Sequence, residues 1–277
     1  MVACQWLRPE AVSRHKSLVI KFRILNSFYI MTANSQQPFP ECIRLHQPER
    51  RQQLIQMFYE LHHKNRDLGQ AKDDQKKLKF FCDLLRKYGF KLRLGIDLGC
   101  RGGVLTNELK QFGDWVGVDI DRNAITLANS IGIPCIEMDI STAIDLKDEA
   151  VDAVCLTEVL EHLPYPSVTV HEVWRILEKK ENSAFMGSVP LDYHLHRRLA
   201  VARGKRLTSD PTHLRSFSFL ELKTLLEHYF EHVEFAPMRG TKTRHAWLSW
   251  DNFVRDIAWF ARGPRKNIAK WEIRVIE

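Results

Sequence analysis

The feature that most constrains the fold is a regular alternation of short apolar segments with helical ones from residue 92 onward. The apolar segments predict strands at 92–98, 115–118, 135–138, 153–156 and 184–189. The intervening periodicity predicts helices at 104–111, 122–130 and 168–177. Short buried strands separated by helices are typical of a parallel sheet that is covered on both faces. Right-handed crossovers then place the ligand crevice at the carboxyl ends of the strands.

The remaining segments complete this fold and extend it at its N-terminal side. A helix at 217–229 and closing strands at 232–236 and 256–261 lead to a prediction of an α/β fold with a doubly wound, mostly parallel, seven-stranded Rossmann-like sheet. Apolar residues at three- and four-residue steps predict an N-terminal helical extension of two helices. The predicted units are a poorly structured extension, a helical cap, the sheet domain and a basic tail, at 1–47, 48–91, 92–262 and 263–277.

Composition excludes several classes of protein. The sequence contains no apolar run long enough to span a membrane, and charged residues interrupt the best signal-peptide candidate, at 17–31. The six cysteines include no CxxC pair, so we expect reduced thiols and a cytoplasmic location. Residues 95–191 contain 7 Lys and Arg against 16 Asp and Glu, whereas residues 1–94 contain 18 against 8. An acidic centre with basic surroundings predicts a basic rim that attracts an anionic partner.

A glycine-rich turn follows the first predicted strand. The strand contains Asp97 close to its end, the turn contains Gly99 and Gly103, and a helical pattern begins directly afterwards. Glycines allow backbone N–H groups to approach a ligand closely, and the first N–H groups of a helix have no partner within the helix. The sequence therefore predicts a site for part of a nucleotide-like ligand at this turn.

Acidic residues follow four neighbouring strands at the same edge of the predicted sheet. They are Asp97, Asp119, Asp139 and Glu158. An acid after the second strand is placed to accept hydrogen bonds from both ribose hydroxyls, and Asp119 follows Gly103 by 16 residues. An acid after the third strand can reach an exocyclic amine of a base. The chain has neither a GxGxxG motif nor a P-loop lysine, so one nucleoside with a small cationic or zwitterionic arm fits better than a dinucleotide.

With these motifs in this order, residues 90–237 resemble the class I S-adenosylmethionine-dependent methyltransferases. The resemblance is carried by the segments 96–103, 117–121, 138–140, 151–154, 158–163 and 188–190. It implies S-adenosylmethionine as the cofactor, and Arg101 stands where this family usually has glycine. The cofactor residues that it implies are Asp97, Gly99 and Gly103 for the methionine end, Asp119 for the ribose, and Ile120, Asp139 and Ile140 for the adenine, with Glu158 near the cofactor.

Two interpretations of the acceptor end remain open. In the first, His162 or His213 removes a proton from an acceptor hydroxyl that lies in line with the methyl group. In the second, Glu158, Glu161 and these two histidines bind a divalent cation that activates the acceptor oxygen. This second arrangement resembles the small-RNA 3′-terminal 2′-O-methyltransferases and some quinone O-methyltransferases.

The sequence thus leaves three functions to compare. The first is methyl transfer to an oxygen of a small or glycan-like, anionic acceptor, because the segment 188–218 resembles bacterial family members associated with sugar and lipid modification. The second is metal-assisted 2′-O-methylation of RNA, for which the basic flanks are suited. The third is a cofactor-binding protein without transferase activity.

Overall fold

A computed structural model describes residues 20–24, 27–31, 53–59, 74–208, 210, 212–240 and 253–268. The chain divides into two compact units, residues 1–51 and residues 52–277. None of the helices in these described ranges is long and apolar enough to cross a membrane.

The first unit contains an antiparallel hairpin. Its strands are β1 (Ile20–Ile24) and β2 (Ser27–Met31), with Ile24 paired to Ser27. The hairpin lies within the segment 1–47, where we predicted little structure. Both strands contain β-branched and aromatic residues, which favour strands.

The second unit is built on one seven-stranded sheet, as predicted. Its strands in chain order are β3 (Leu94–Leu98), β4 (Asp114–Asp119), β5 (Cys135–Glu137), β6 (Ala153–Thr157), β7 (Ala184–Pro190), β8 (Phe230–Gly240) and β9 (Val254–Pro264). The spatial order is β5-β4-β3-β6-β7-β9-β8. The first five strands are parallel, and β9 runs antiparallel to both of its neighbours. The reversal of strand order lies between β3 and β6, so the carboxyl ends of these strands form the crevice.

Helices lie between these strands, and residues 53–59 are also helical. The helices are α1 (Asp74–Lys87), α2 (Val104–Leu109), α3 (Arg122–Ser130), α4 (Pro166–Ile176), α5 (Leu195–Ala202) and α6 (Phe219–Tyr229). Helix α5 lies between the predicted strand at 184–189 and the predicted helix at 217–229, where we predicted no element, and none of its residues is buried. Its leucines, arginines and alanines have high intrinsic helix propensity, so this helix forms without a buried face.

Two apolar clusters cover the sheet. The larger contains Leu98, Val154, Phe185 and Trp259 among its buried members. The smaller contains Trp115 from β4 and the buried face of α1, including Phe81 and Leu85. Helix α1 is therefore packed on the sheet, and its Lys77 reaches Glu158 directly after β6.

Candidate active site

The conformation of the turn after β3 is stabilised by backbone hydrogen bonds. Gly99 has a φ of 78° and donates its N–H to the Val118 carbonyl at 2.7 Å, and the Cys100 N–H donates to the same carbonyl at 3.0 Å. A Cβ on Gly99 would lie 2.4 Å from Cγ2 of Val159, so only glycine fits here. Arg101 also has a positive φ, 51°, an uncommon conformation for a residue with a side chain. The predicted glycine turn therefore exists, and the segment after β6 packs against it.

The acids on β3 and β4 have fixed orientations. Asp97 is 2% exposed, and its Oδ2 accepts a 2.6 Å hydrogen bond from the Thr106 hydroxyl. Asp119 accepts the backbone N–H of Arg101 at 2.8 Å and that of Asp121 at 2.9 Å, one on each carboxylate oxygen. A carboxylate can accept about four hydrogen bonds, which is compatible with the ribose role predicted for Asp119.

The predicted adenine end lies beside these acids. Ile120 is half-buried and Asp139 is exposed, while Ile140 is buried in the larger apolar cluster. The Asp139 carboxylate accepts the Ser141 N–H at 2.9 Å, which closes a short turn. Ile140 can therefore offer its backbone to a ligand but not its side chain. Tyr59 also lies at this end, since burial and then the charges of Asp139 and Asp119 raise the pKa of its phenol.

Glu158 begins the segment after β6 and is held by two other elements. It has a φ of 54°, and its Oε1 accepts Lys77 Nζ of α1 at 3.1 Å and the Ser188 hydroxyl of β7 at 2.7 Å. Burial alone would raise the pKa of this carboxyl, but the Lys77 charge and the Ser188 hydrogen bond outweigh it and hold the pKa below its ordinary value. Glu158 is thus an ionised carboxylate on the crevice wall.

Glu161, His162 and His213 come together in one cluster, with one potential ligand atom of each within 4.8 Å of the others. The two imidazole rings meet edge to face with centroids 4.8 Å apart. Glu161 is 1% exposed, and both of its carboxylate oxygens lack a hydrogen-bond partner within the described residues. Burial, followed by the negative charge of Glu158, raises the pKa of Glu161 well above its ordinary value.

The turn that includes the described residues 208, 210 and 212–215 holds the two histidines. Nδ1 of His162 lies 3.2 Å from the Thr212 carbonyl oxygen, and Nδ1 of His213 lies 3.1 Å from the Thr208 hydroxyl. Nδ1 of His162 also lies 3.0 Å from the Thr212 hydroxyl, which donates to Oδ1 of Asp210 at 2.6 Å. Because the carbonyl and this hydroxyl can then only accept, His162 donates its Nδ1–H and its Nε2 keeps the lone pair. The Glu161 carbonyl oxygen accepts the N–H groups of residues 214 and 215, which ties the turn to the segment after β6.

The structure brings together three of the four residues considered as cation ligands and separates the fourth. The carboxylate of Glu158 is bound by Lys77 and Ser188 and lies outside the three-residue cluster. Sequence reasoning missed Lys77, because a lysine in a helix of mixed charge gives no sign of burial. It also missed Thr212, although a threonine directly before a candidate histidine is a signal that could have been used.

Comparison with known proteins agrees with this geometry. Residues 96–182 match the family model of a methyltransferase domain. The chain is 29% identical over 90 residues to a ubiquinone biosynthesis O-methyltransferase of Nitrosococcus oceani, covering 30% of the chain and 38% of the relative. It is 30% identical over 100 residues to the protein of the same name from Alkalilimnicola ehrlichii, covering 32% and 39%. The chain thus matches about two fifths of the length of these curated relatives.

Solved structures share the fold. An S-adenosylmethionine-dependent methyltransferase from Thermotoga maritima superimposes with a TM-score of 0.52 at 16% identity, covering 76% of this chain and 97% of that one. Another from Clostridium acetobutylicum gives 0.50 at 12% identity, covering 77% and 98%. The strand order, the glycine turn and the matched segment agree with one another: residues 96–182 are similar to a methyltransferase domain, and the sheet has the fold of these solved structures.

Proposed function

We propose that the protein transfers a methyl group from S-adenosylmethionine to a hydroxyl oxygen of a small acceptor. The observation that carries this proposal is the cluster of Glu161, His162 and His213 beside the predicted cofactor crevice. Such a cluster can take a proton from a hydroxyl group, which an acceptor oxygen must lose on methylation. Both curated relatives are O-methyltransferases by name, which supports oxygen as the acceptor atom.

The cofactor site follows from the carboxyl ends of the strands. Asp119 binds the ribose hydroxyls, Asp97 and the backbone of the Gly99–Gly103 turn face the methionine end, and Asp139 lies at the adenine edge. The fixed carboxylates of Asp97 and Glu158 favour a cofactor whose arm has a sulfonium and an ammonium group. Glu158 contributes its negative charge, and Lys77 and Ser188 both bind its Oε1.

The reaction then needs one proton acceptor. The acceptor oxygen attacks the methyl carbon, the carbon–sulfur bond breaks, and S-adenosylhomocysteine leaves. The hydroxyl proton goes to Nε2 of His162, the nitrogen left with a lone pair by the bond from Nδ1 to the Thr212 carbonyl. His213 packs edge to face on His162 and fixes its ring plane. Alignment of the acceptor oxygen with the methyl carbon supplies much of the rate enhancement, and the general base adds about 10²–10⁴-fold.

A second candidate is the same methyl transfer assisted by a divalent cation. A buried carboxylate without a hydrogen-bond partner is costly, and a cation held by Glu161, His162 and His213 would remove that cost. Two imidazoles and one carboxylate suit a first-row divalent ion, and the Nδ1 contacts to Thr212 and Thr208 are the supports that ligating histidines usually have. The bound cation would lower the pKa of the acceptor hydroxyl.

The acceptor is best matched by a small anionic molecule. Helix α5 and the residues directly after it are basic and exposed, and they lead into the turn that holds His213; the basic residues are Arg197, Arg198, Arg203, Lys205 and Arg206. A glycan-like acceptor with a phosphate or carboxylate would meet complementary charge there. The four cysteines in the described residues are free thiols, which fits a cytoplasmic enzyme.

The test is a methyl-transfer assay with labelled S-adenosylmethionine on four acceptor panels. The panels are sugar phosphates, hydroxylated aromatic acids, neutral glycans and short RNA with a free 3′ end. We expect transfer to an anionic small molecule, with at least a hundredfold loss in His162→Ala and little change in His232→Ala, a matched control at an exposed histidine on β8. Methylation of RNA alone, or of nitrogen rather than oxygen, would contradict the proposal.

Cation binding is tested separately from activity, by calorimetry with Mn²⁺. If the cluster holds a cation, the wild type binds Mn²⁺ and Glu161→Gln does not, while Asp145→Asn, at an exposed acid, binds as the wild type does. Full activity in chelator together with no Mn²⁺ binding would remove the second candidate and leave His162 as the base. A wild type that binds no S-adenosylmethionine while folded would contradict both candidates.

A further inference from the structure

Two cysteines that are 35 positions apart in the chain meet beside the cofactor turn. Sγ of Cys100 lies 3.3 Å from Sγ of Cys135. Cys100 is the residue after Gly99 in the turn, and Cys135 is the first residue of β5. Neither thiol has a part in the proposed methyl transfer, so their contact calls for a separate explanation.

The fold builds this contact through Gly117 of β4. Cys135 pairs with Gly117 in the parallel ladder, and the turn brings Cys100 over the same strand through its hydrogen bond to the Val118 carbonyl. A Cβ on Gly117 would lie 2.6 Å from Sγ of Cys100 and 3.1 Å from Sγ of Cys135. A side chain at this position would therefore separate the two sulfurs, and glycine leaves the space that they share.

The two thiols differ in exposure and in acidity. Cys100 is 7% exposed, whereas Cys135 is half-buried. Their mutual hydrogen bond, with burial second, raises the pKa of the Cys100 thiol, and the same bond lowers the pKa of Cys135. Because Cys135 is the more exposed of the two, it is the thiol that an oxidant reaches first, and Cys100 is the thiol placed to react with its product.

The geometry points to a modification site: Cys100 and Cys135 form a reversible disulfide when a hydroperoxide oxidises the protein. The Cys135 thiolate attacks the peroxide, giving a sulfenic acid and an alcohol or water. Sγ of Cys100 then attacks the sulfenic sulfur, water leaves, and the S–S bond forms. Two electrons and two protons have gone from the thiols to the peroxide, and a dithiol reductant returns them.

The bond would act on the cofactor site, an effect that rests on the proposed function. A disulfide has an S–S length of about 2.05 Å, so the sulfurs must approach by about 1.2 Å from their present contact. Because Cys100 lies between Gly99 and Arg101, the movement displaces the backbone that holds Asp119 through the Arg101 N–H. We expect the Kd for S-adenosylhomocysteine to rise about tenfold, equivalent to the loss of one well-placed hydrogen bond.

The experiment treats the full chain with hydrogen peroxide and maps the products by tryptic mass spectrometry. The expected product is a cross-link between peptides 94–101 and 123–147, absent after dithiothreitol. In parallel, calorimetry with S-adenosylhomocysteine compares reduced, oxidised and re-reduced protein. The matched control is Cys82→Ser, at a buried cysteine in α1, which should keep both the cross-link and the rise in Kd. Cys135→Ser should lose both.

The two readouts can fail independently. Oxidation of Cys135 to a sulfinic acid without the cross-link, or a cross-link between other cysteines, would overturn the modification site. A cross-link that leaves the Kd for S-adenosylhomocysteine unchanged would overturn the inferred effect of the disulfide on cofactor binding. If reduced protein binds no S-adenosylhomocysteine, the proposed function fails, while peptide mapping still decides whether the disulfide forms.

Discussion

Replacing Lys77 by methionine removes the cation that joins α1 to the crevice. The Lys77 side chain is 4% exposed and that of Glu158 is 35% exposed, with 3.1 Å between Nζ and Oε1. Removing one partner of a fully buried ion pair costs about 3–5 kcal/mol. Glu158 is one-third exposed and keeps the Ser188 hydroxyl, so we expect Lys77→Met to lower the free energy of unfolding by about 2–3 kcal/mol.

Urea unfolding followed by circular dichroism measures this loss. Lys79→Met is the matched control on the same helix, because Lys79 is 76% exposed and its partner Asp83 is 52% exposed. An exposed pair of this kind contributes less than about 1 kcal/mol. The double variant Lys77→Met/Glu158→Gln should lose less than the sum of the single losses, since the unpaired charge is gone. Equal losses of unfolding free energy in Lys77→Met and Lys79→Met would refute the stabilising role of the Lys77–Glu158 pair.

The effect of Lys77→Met should also depend on pH. The folded pKa of Glu158 lies below its ordinary value of 4.5, so the pair stabilises the fold above that pH. The contribution is lost as the pH falls through the folded pKa, because the carboxyl becomes protonated. The difference in unfolding free energy between wild type and Lys77→Met should therefore narrow in acid, and a constant difference between pH 7 and pH 3 would argue against this coupling.

Three further substitutions test the turn, a helix start and the histidine support. Gly99→Ala should destabilise the fold by about 2–4 kcal/mol in urea unfolding, because it combines a positive φ with a clash against Val159. Asp121→Ala should cost about 1 kcal/mol in the same assay, since its carboxylate caps α3. Thr212→Val removes the hydroxyl that lies 3.0 Å from Nδ1 of His162, and it should weaken Mn²⁺ binding about tenfold in calorimetry if His162 is a cation ligand, with little change in stability. If any of these three variants has the wild-type unfolding free energy or Mn²⁺ affinity in its assay, the contact named for that variant is contradicted.

The sequence was sufficient to predict the strands of the sheet and which residues lie at its carboxyl edge. Apolar runs flanked by turn residues located all seven strands, and the helix predicted at 122–130 has the bounds of α3. Asp97 and Asp119 were found because strand ends in a doubly wound sheet converge. These inferences depend on local pattern and known topology, which a single sequence contains.

What the sequence did not give depends on contacts between distant segments. Glu158 was considered a cation ligand with Glu161 because the two are three positions apart, but the positive φ of Glu158 turns it toward Lys77, more than 80 positions earlier. The contact between Cys100 and Cys135 likewise depends on strand register across Gly117. Helix α5 was missed because it has no buried face.

The most direct test of the account is calorimetric titration with S-adenosylhomocysteine of the reduced wild type and of Asp119→Asn. In the proposed site the ribose binds Asp119, whose carboxylate is oriented by two backbone N–H groups. We expect one site per chain in the wild type and a Kd at least tenfold weaker in Asp119→Asn, as expected for losing a hydrogen bond to a charged group. Equal binding by both proteins, or no binding by a folded wild type, would contradict this expectation.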